Sequence, residues 1–465
     1  MELRTSLVYP AISIKGFGGL MQGMDGGWIS HGLASISAAA KASGFAIDLI
    51  DLRALRGWDH FRQVLQERSP RVLGFTMMSS DAENVRTASA MAKDLDPAVI
   101  TLAGGPHVSM APDDAALFPH LDYLVIGEGE ELFPRLLAGF ARGERPGERM
   151  LRGQRPQLDL LPFSDRQLFL DEWRRCGFVV DSPEVPFLPE LPPPFATIIA
   201  GRGCPFHCSF CKPGEDLLFG RAMRTRSPEN VVAELAGLAE RFRLRSFLFH
   251  DDCLFHDRAW LQRFAECYRQ AGLTMRFFCQ SRADLLVRNQ DLLPELRAIG
   301  LRGLFIGFES GSQRILDFLR KGTTVRENLE AARLCKRNKL AIWANYMLGI
   351  PTETRGEAQA TVEMIRTIDP DYFSPAFFTP QPGTELGRYV EEHGLGLQKG
   401  YEGMRRNPDA PKIRGIDYDF LKKALAESRR RRPGNMIRRG VSRFSVRVQR
   451  KLMRLWPFQA PLSNR

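Results

Sequence analysis

Three cysteines fall within eight residues, in the run Gly201-Arg202-Gly203-Cys204-Pro205-Phe206-His207-Cys208-Ser209-Phe210-Cys211. Iron–sulfur clusters are held by cysteine thiolates, and three on one short loop can hold three irons of a [4Fe–4S] cluster. The fourth iron is then left open and can bind and reduce a small molecule. The alternative is a structural zinc site with His207 as fourth ligand, although no second Cys/His pair stands at zinc-finger spacing. The other cysteines, at positions 176, 253, 267, 279 and 335, are scattered. Such usage favours a metal site plus buried thiols over a disulfide framework.

Further polar segments follow at intervals, each at the carboxyl end of a strand-like run. They are His250-Asp251-Asp252, Gln280-Ser281-Arg282, Gly307-Phe308-Glu309-Ser310-Gly311-Ser312, Gly349-Ile350-Pro351-Thr352-Glu353-Thr354 and Thr379-Pro380-Gln381-Pro382-Gly383-Thr384. The last two read equally well as turns or capped helix starts. Barrel enzymes place their chemistry at such strand ends. Cys-x3-Cys-x2-Cys followed in order by these segments resembles the radical S-adenosylmethionine (SAM) superfamily. That resemblance implies that Cys204, Cys208 and Cys211 hold the cluster. It also implies that Asp251, Asp252, Gln280, Arg282, Glu309 and Ser310 meet SAM, with Glu309 near the ribose. In such enzymes SAM binds the open iron, one electron cleaves it to methionine and a 5′-deoxyadenosyl radical, and the radical takes hydrogen from substrate. The cofactors carry the chemistry, and the protein positions them.

Three segments upstream also stand at strand ends: Thr76-Met77-Met78-Ser79-Ser80, Ala103-Gly104-Gly105-Pro106-His107 and Gly127-Glu128-Gly129-Glu130-Glu131. Gly104 and Gly105 permit close approach of a ligand to the backbone, and Ser79 and Ser80 offer hydrogen bonds. Over nearly all of residues 1–142 the pattern resembles the cobalamin-binding domain of one radical SAM subclass, a generic doubly wound domain for nucleotide or protein contacts being the alternative. The resemblance implies that Ser79, Ser80, Gly104, Gly105, His107, Gly127, Glu128 and Gly129 hold cobalamin. One departure stands out. The Asp-x-His-x-x-Gly loop that gives cobalt a histidine in other cobalamin proteins is absent from the Gly16–Trp28 segment, and His31 is out of pattern and starts a helix. An open lower face favours four-coordinate Co(I), a nucleophile able to take a methyl group from SAM.

The elements that must position these residues come in two alternating series. Strand-like runs Arg4–Ala11, Ala46–Leu52, Arg71–Ser79, Ala98–Ala103 and Tyr123–Gly127 enclose helical stretches such as Ser30–Ser43 and Ala82–Leu95. This predicts a doubly wound parallel sheet, Rossmann-like, over residues 1–142. Residues 143–193, rich in Pro, Arg and acids, read as an interdomain linker with short local elements. A second series over 194–385 has strands at Ala196–Ala200, Ser246–His250, Met275–Gln280, Gly303–Phe308, Ile342–Leu348 and Tyr372–Phe378, with helices such as Ser227–Phe242 and Thr324–Asn338. Six such units predict a partial (β/α)6 barrel. The fold class is therefore α/β, closed by a mainly helical region at 386–427.

The chain has 465 residues and a net charge of +11. Residues 428–465 carry 12 Lys and Arg and no acid, so the first 427 sum to −1. In this tail Ile437, Val441, Phe444, Val448, Leu452 and Leu455 recur at helical spacing among basic residues. The pattern resembles an interfacial helix drawn to anionic lipid, with a terminal packed helix or a solvated tail as alternatives. Nucleic-acid binding has no recognised module here. No apolar run reaches transmembrane length, and the start reads as a first strand rather than a signal peptide, so a cytoplasmic protein is expected, in contact with the inner membrane surface if the tail binds lipid. The expected function is cobalamin-dependent radical SAM methyl transfer to an unactivated carbon of a small-molecule or lipid-like substrate, with flavodoxin or ferredoxin as electron donor. Cyclisation, oxidation or rearrangement without methyl transfer is the alternative.

Overall fold

The computed structural model describes residues 3–12, 17–20, 27–178, 180, 182–397, 400–401, 404 and 410–429. The basic tail from residue 430 and most of the loop between Gly16 and Trp28 lie outside the described residues.

Six strands form the first sheet: β1 (Thr5–Tyr9), β2 (Ile47–Asp51), β3 (Val72–Thr76), β4 (Ile100–Gly104), β5 (Tyr123–Ile126) and β6 (Met150–Arg152). All pairs are parallel, in the order β2-β1-β3-β4-β5-β6. The strands are short Val/Ile/Leu/Phe runs, because helices cover both faces and alternate residues feed two cores. Leu7, Leu49 and Leu102 enter one core, and Val8, Ile50 and Leu73 the other. The strand order reverses between β1 and β3, and ligands of such sheets bind beyond the carboxyl ends at that reversal.

The stretch read as a linker contributes two short elements to this domain. It supplies β6 at the sheet edge and the helix Arg166–Arg175, whose Leu168, Phe169, Leu170 and Trp173 are buried in the first core. Trp173 Nε1 donates to Asp51 Oδ2 at 2.9 Å. Its Pro- and Arg-rich composition masked a three-residue strand too short to show periodicity.

The second sheet holds β7 (Phe195–Ile198), β8 (Ser246–Phe249), β9 (Arg276–Arg282), β10 (Leu301–Glu309), β11 (Ala341–Leu348) and β12 (Tyr372–Phe377). Neighbours pair in parallel and in chain order, giving a six-stranded partial barrel. Outward residues such as Ile198, Phe249, Cys279, Ile306 and Tyr346 pack under the helices. The inner face is plugged at the amino ends by Phe195, Leu248, Phe278, Phe305 and Trp343. Trp28 of the N-terminal domain joins this plug. The helices Glu385–Glu392 and Tyr418–Ser428 complete the described chain.

Candidate active site

The three-cysteine loop is built by strand-end hydrogen bonding. After β7 the buried Asp251 carboxylate accepts the N–H groups of Ala200, at 2.9 Å, and Gly201, at 2.5 Å. Gly201–Arg202 then pairs with Arg224–Thr225 in a short antiparallel ribbon. The loop tightens where the N–H groups of Cys211 and Lys212 both donate to the Cys208 carbonyl, at 3.0 and 2.9 Å. Cys208 is buried, Cys204 half-buried and Cys211 exposed, and none is in a disulfide.

Positive groups stand beside the loop, yet desolvation raises the Cys211 thiol well above its ordinary value. Arg282 Nη1 donates to Cys208 Sγ at 3.6 Å, with its guanidinium 3.6 Å from the Phe206 ring centroid. Burial pushes the Cys208 thiol up, while Lys321 and Arg282 pull it down. A hydrogen bond with the buried Cys253 lowers the Cys204 thiol to about 7. Among the described residues no three His, Cys, Asp or Glu side chains come together tightly enough for one metal ion. Three cysteine thiols on one short loop are the donor set that an iron–sulfur cluster takes.

The residues read as SAM contacts divide. Asp252 lines the large cavity described below. Asp251 also borders it, but its carboxylate is committed to the loop backbone. Gln280 lies on the inner face of β9, one position from the buried Cys279. Glu309 holds the left-handed conformation, φ +58°, and Lys321 Nζ donates to its Oε1 at 2.9 Å. Ser310 is fully buried, shares a 3.1 Å hydrogen bond with Thr361 and accepts from the Ser312 N–H; it builds the turn and does not face an open site. The Gly349 and Thr379 segments are capped helix starts. Thr354 and Glu357 form a capping box for the helix Arg355–Ile368, and Thr384 caps the helix Glu385–Glu392.

A cavity of about 620 Å³ lies over the carboxyl ends of the first sheet. Thr76, Gly104, Gly105, Gly127, Glu128 and Gly129 line one side, and Gly201, Arg202, His250, Asp251 and Asp252 the other. Gly105 has φ +105°, and a Cβ there would stand 3.1 Å from Met77 N. Side chains at these positions would meet the protein's own atoms, Val125 at Gly104 and Ile36 at Gly129, so the glycines keep the backbone bare along this edge of the cavity.

Three residues read as cobalamin contacts lie elsewhere. Ser79 Oγ and His107 Nδ1 share a 3.1 Å hydrogen bond, and His107 is buried beside Phe118 and Tyr401. Ser80 bonds Asp81 and is not on the cavity wall. The helix Pro106–Met110 turns His107 inward, a direction that its neighbour Gly105 in the sequence could not disclose. Glu128 is on the wall, but its carboxylate binds Arg202 Nη1 at 2.5 Å and Arg224.

Several residues beside the site carry little functional signal in the sequence. Arg202 stands two positions before the first cysteine, where nothing local marks it. Lys321 and Cys253 reach the site only through tertiary packing. His31, at the first turn of the helix His31–Ala42, shares a 2.7 Å hydrogen bond from Nε2 to Thr197 Oγ1, and Thr197 donates to the buried Glu184. Burial, then the charges of Arg166 and His250, hold the His31 pKa well below its ordinary value.

Comparison with known proteins matches both domains. The B12 binding domain model matches residues 23–137, and the Radical SAM superfamily model matches residues 198–365. An uncharacterized methyltransferase of Pyrococcus horikoshii is 27% identical over 382 residues, covering 79% of each chain. The anaerobic magnesium-protoporphyrin IX monomethyl ester cyclase of Rubrivivax gelatinosus is 27% identical over 380 residues, 78% of this chain and 66% of that one. The structure of the radical SAM methyltransferase TsrM from Kitasatospora setae, with cobalamin and a [4Fe–4S] cluster bound, superposes with a TM-score of 0.64 at 18% identity, covering 86% of this chain and 79% of that one.

Proposed function

Because this chain is a radical SAM enzyme with a B12-binding domain, we propose that it transfers a methyl group from SAM, by way of cobalamin, to an unactivated carbon of a small-molecule or lipid-like substrate. The single observation that carries the reading is the shared cavity. Its walls join the glycine edge of the B12-binding domain to Gly201 and Arg202, which precede the three cysteines, and to His250, Asp251 and Asp252 after β8, which supports two cofactors acting in one space. When bound, the cluster supplies an electron to SAM and the cobalt carries the methyl group.

The chain's own residues hold and orient these groups. Cys204, Cys208 and Cys211 would hold the cluster, with Arg282 donating to the Cys208 sulfur, and Asp252 and Gln280 would contact SAM. Gly104, Gly105, Gly127 and Gly129 would admit cobalamin against the backbone. The plug around Trp28 and Phe278 closes the far end of the barrel against water.

Methyl-deuterated SAM tests the reading: label in the product supports transfer, and turnover without label overturns it. The cyclase relative favours the second reading, ring closure or oxidation with the same cofactors. A small flavodoxin- or ferredoxin-like protein is the proposed electron donor, in the cytoplasm. Among the described residues no helix is long and apolar enough to cross a membrane. The basic tail supports peripheral contact with anionic lipid, and flotation with anionic liposomes that survives removal of residues 430–465 would sink that idea.

A further inference from the structure

The loop after β5 commits two of its three carboxylates, those of Glu128 and Glu130, across the domain boundary. Arg202, two residues before Cys204, binds Glu128 Oε2 through Nη1 at 2.5 Å and Glu130 Oε1 through Nη2 at 2.6 Å. Arg224, the partner of Arg202 in the short ribbon, binds the other oxygen of Glu128. Ser35 Oγ donates to Glu130 at 2.9 Å. Burial works against ionisation of Glu130, yet the charge and hydrogen bond of Arg202 hold its pKa below the ordinary value.

This geometry has little slack. Glu128 and Glu130 are 4% and 5% exposed. A Cβ on Gly153 would stand 1.6 Å from the Glu128 carbonyl oxygen, so the segment after β6 wedges that backbone in place. A guanidinium is a rigid planar fork and here spans two carboxylates at once; a lysine ammonium cannot reproduce that reach. Domains joined through modest interfaces move relative to each other by default. Here the charged network replaces that freedom on the wall of the shared cavity itself, since Glu128, Glu130 and Arg202 all line it.

We propose that Arg202 is a positioning residue that locks the cluster loop to the B12-binding domain, so that SAM at the cluster and the cobalt of cobalamin face each other across a fixed gap. On this assignment the Gly-Glu-Gly-Glu segment serves two tasks. Its glycines receive the cofactor, and its glutamates hold the cluster loop. The inference rests on the reading that both cofactors act in one reaction. Group transfer between two bound partners needs reacting atoms aligned about 3–3.5 Å apart, and a misplacement of about 1 Å costs roughly 100-fold.

The test uses the full chain, loaded anaerobically with cluster and cobalamin, as wild type, Arg202→Lys and Glu130→Gln. The second variant reaches the same contact from the domain that lacks the cysteines. Two properties are read: the magnetic coupling between the reduced cluster and the Co(II) form of bound cobalamin, by electron paramagnetic resonance, and the partition of SAM between 5′-deoxyadenosine and methylation of the bound cobalamin. Both variants are expected to keep iron, cobalamin and 5′-deoxyadenosine formation, to lose the single well-defined coupling, and to methylate cobalamin about 100-fold more slowly. Unchanged coupling and methylation overturn the proposal. Loss of both cofactors in both variants also overturns it, because the contact then serves stability alone. If wild type shows the coupling but no cobalamin methylation, the methyl-transfer reading fails, and the coupling in the variants still decides the role of Arg202.

Discussion

At the scale of residues, the proposed cluster site makes sharp demands. Under the proposed ligation, replacing Cys204, Cys208 or Cys211 by Ala removes a ligand for one iron, and each variant is expected to lose the cluster and reductive SAM cleavage, read as iron content and 5′-deoxyadenosine. Cys253→Ala keeps three ligands and is expected to retain iron. Arg282 donates to Cys208 Sγ, and hydrogen bonds and charge at the sulfurs set cluster potentials. Arg282→Met is therefore expected to shift the potential negative in a redox titration; an unchanged potential refutes the role. Asp251 carries a pH dependence. Burial pushes its carboxyl up to about 7, against the two backbone N–H groups, with Asp252 adding to the rise. An acid whose pKa rises on folding binds its proton more tightly in the folded state. Its contribution is complete below the unfolded value, about 4, and is lost as pH climbs through 7. Thermal midpoints are expected to fall between pH 5 and 8, and Asp251→Asn to flatten part of that slope. An identical slope in the variant assigns it to other groups.

At the scale of elements, backbone conformation governs the cofactor edge. Gly105 joins β4 to the helix Pro106–Met110 at φ +105°, where an added Cβ crowds Met77 N and O at 3.1 and 3.2 Å. Gly105→Ala is expected to destabilise the N-terminal domain by about 1–3 kcal/mol in chemical denaturation and to weaken cobalamin binding. Equal stability and binding in the variant remove the argument for a glycine here.

At the scale of the whole molecule, the N-terminal domain ends well beyond its fifth strand. Its sheet edge is β6, and Leu168, Phe169, Leu170 and Trp173 fill its core. Full burial of such side chains stabilises by about 1.5–3 kcal/mol each. A fragment of residues 1–142 is therefore expected to express unfolded, and one of residues 1–178 to give a cooperative thermal transition by circular dichroism. Cooperative folding of the shorter fragment would restore the linker reading.

The sequence by itself determined the α/β class, both strand–helix series and the cysteine triad. Apolar runs and ligand spacing are local signals, and the helix Ala82–Leu95 even falls on its expected bounds. Glycines at strand ends were equally legible, because their conformational freedom acts where they stand. Only the tertiary structure decided where polar side chains point. His107 and Ser310 sit in readable motifs yet turn inward, Glu309 meets a lysine twelve residues on, and Glu128 and Glu130 meet an arginine more than seventy residues away. Charge pairing carries no sequence periodicity, so Arg202 disclosed its partners only once two domains had folded against each other.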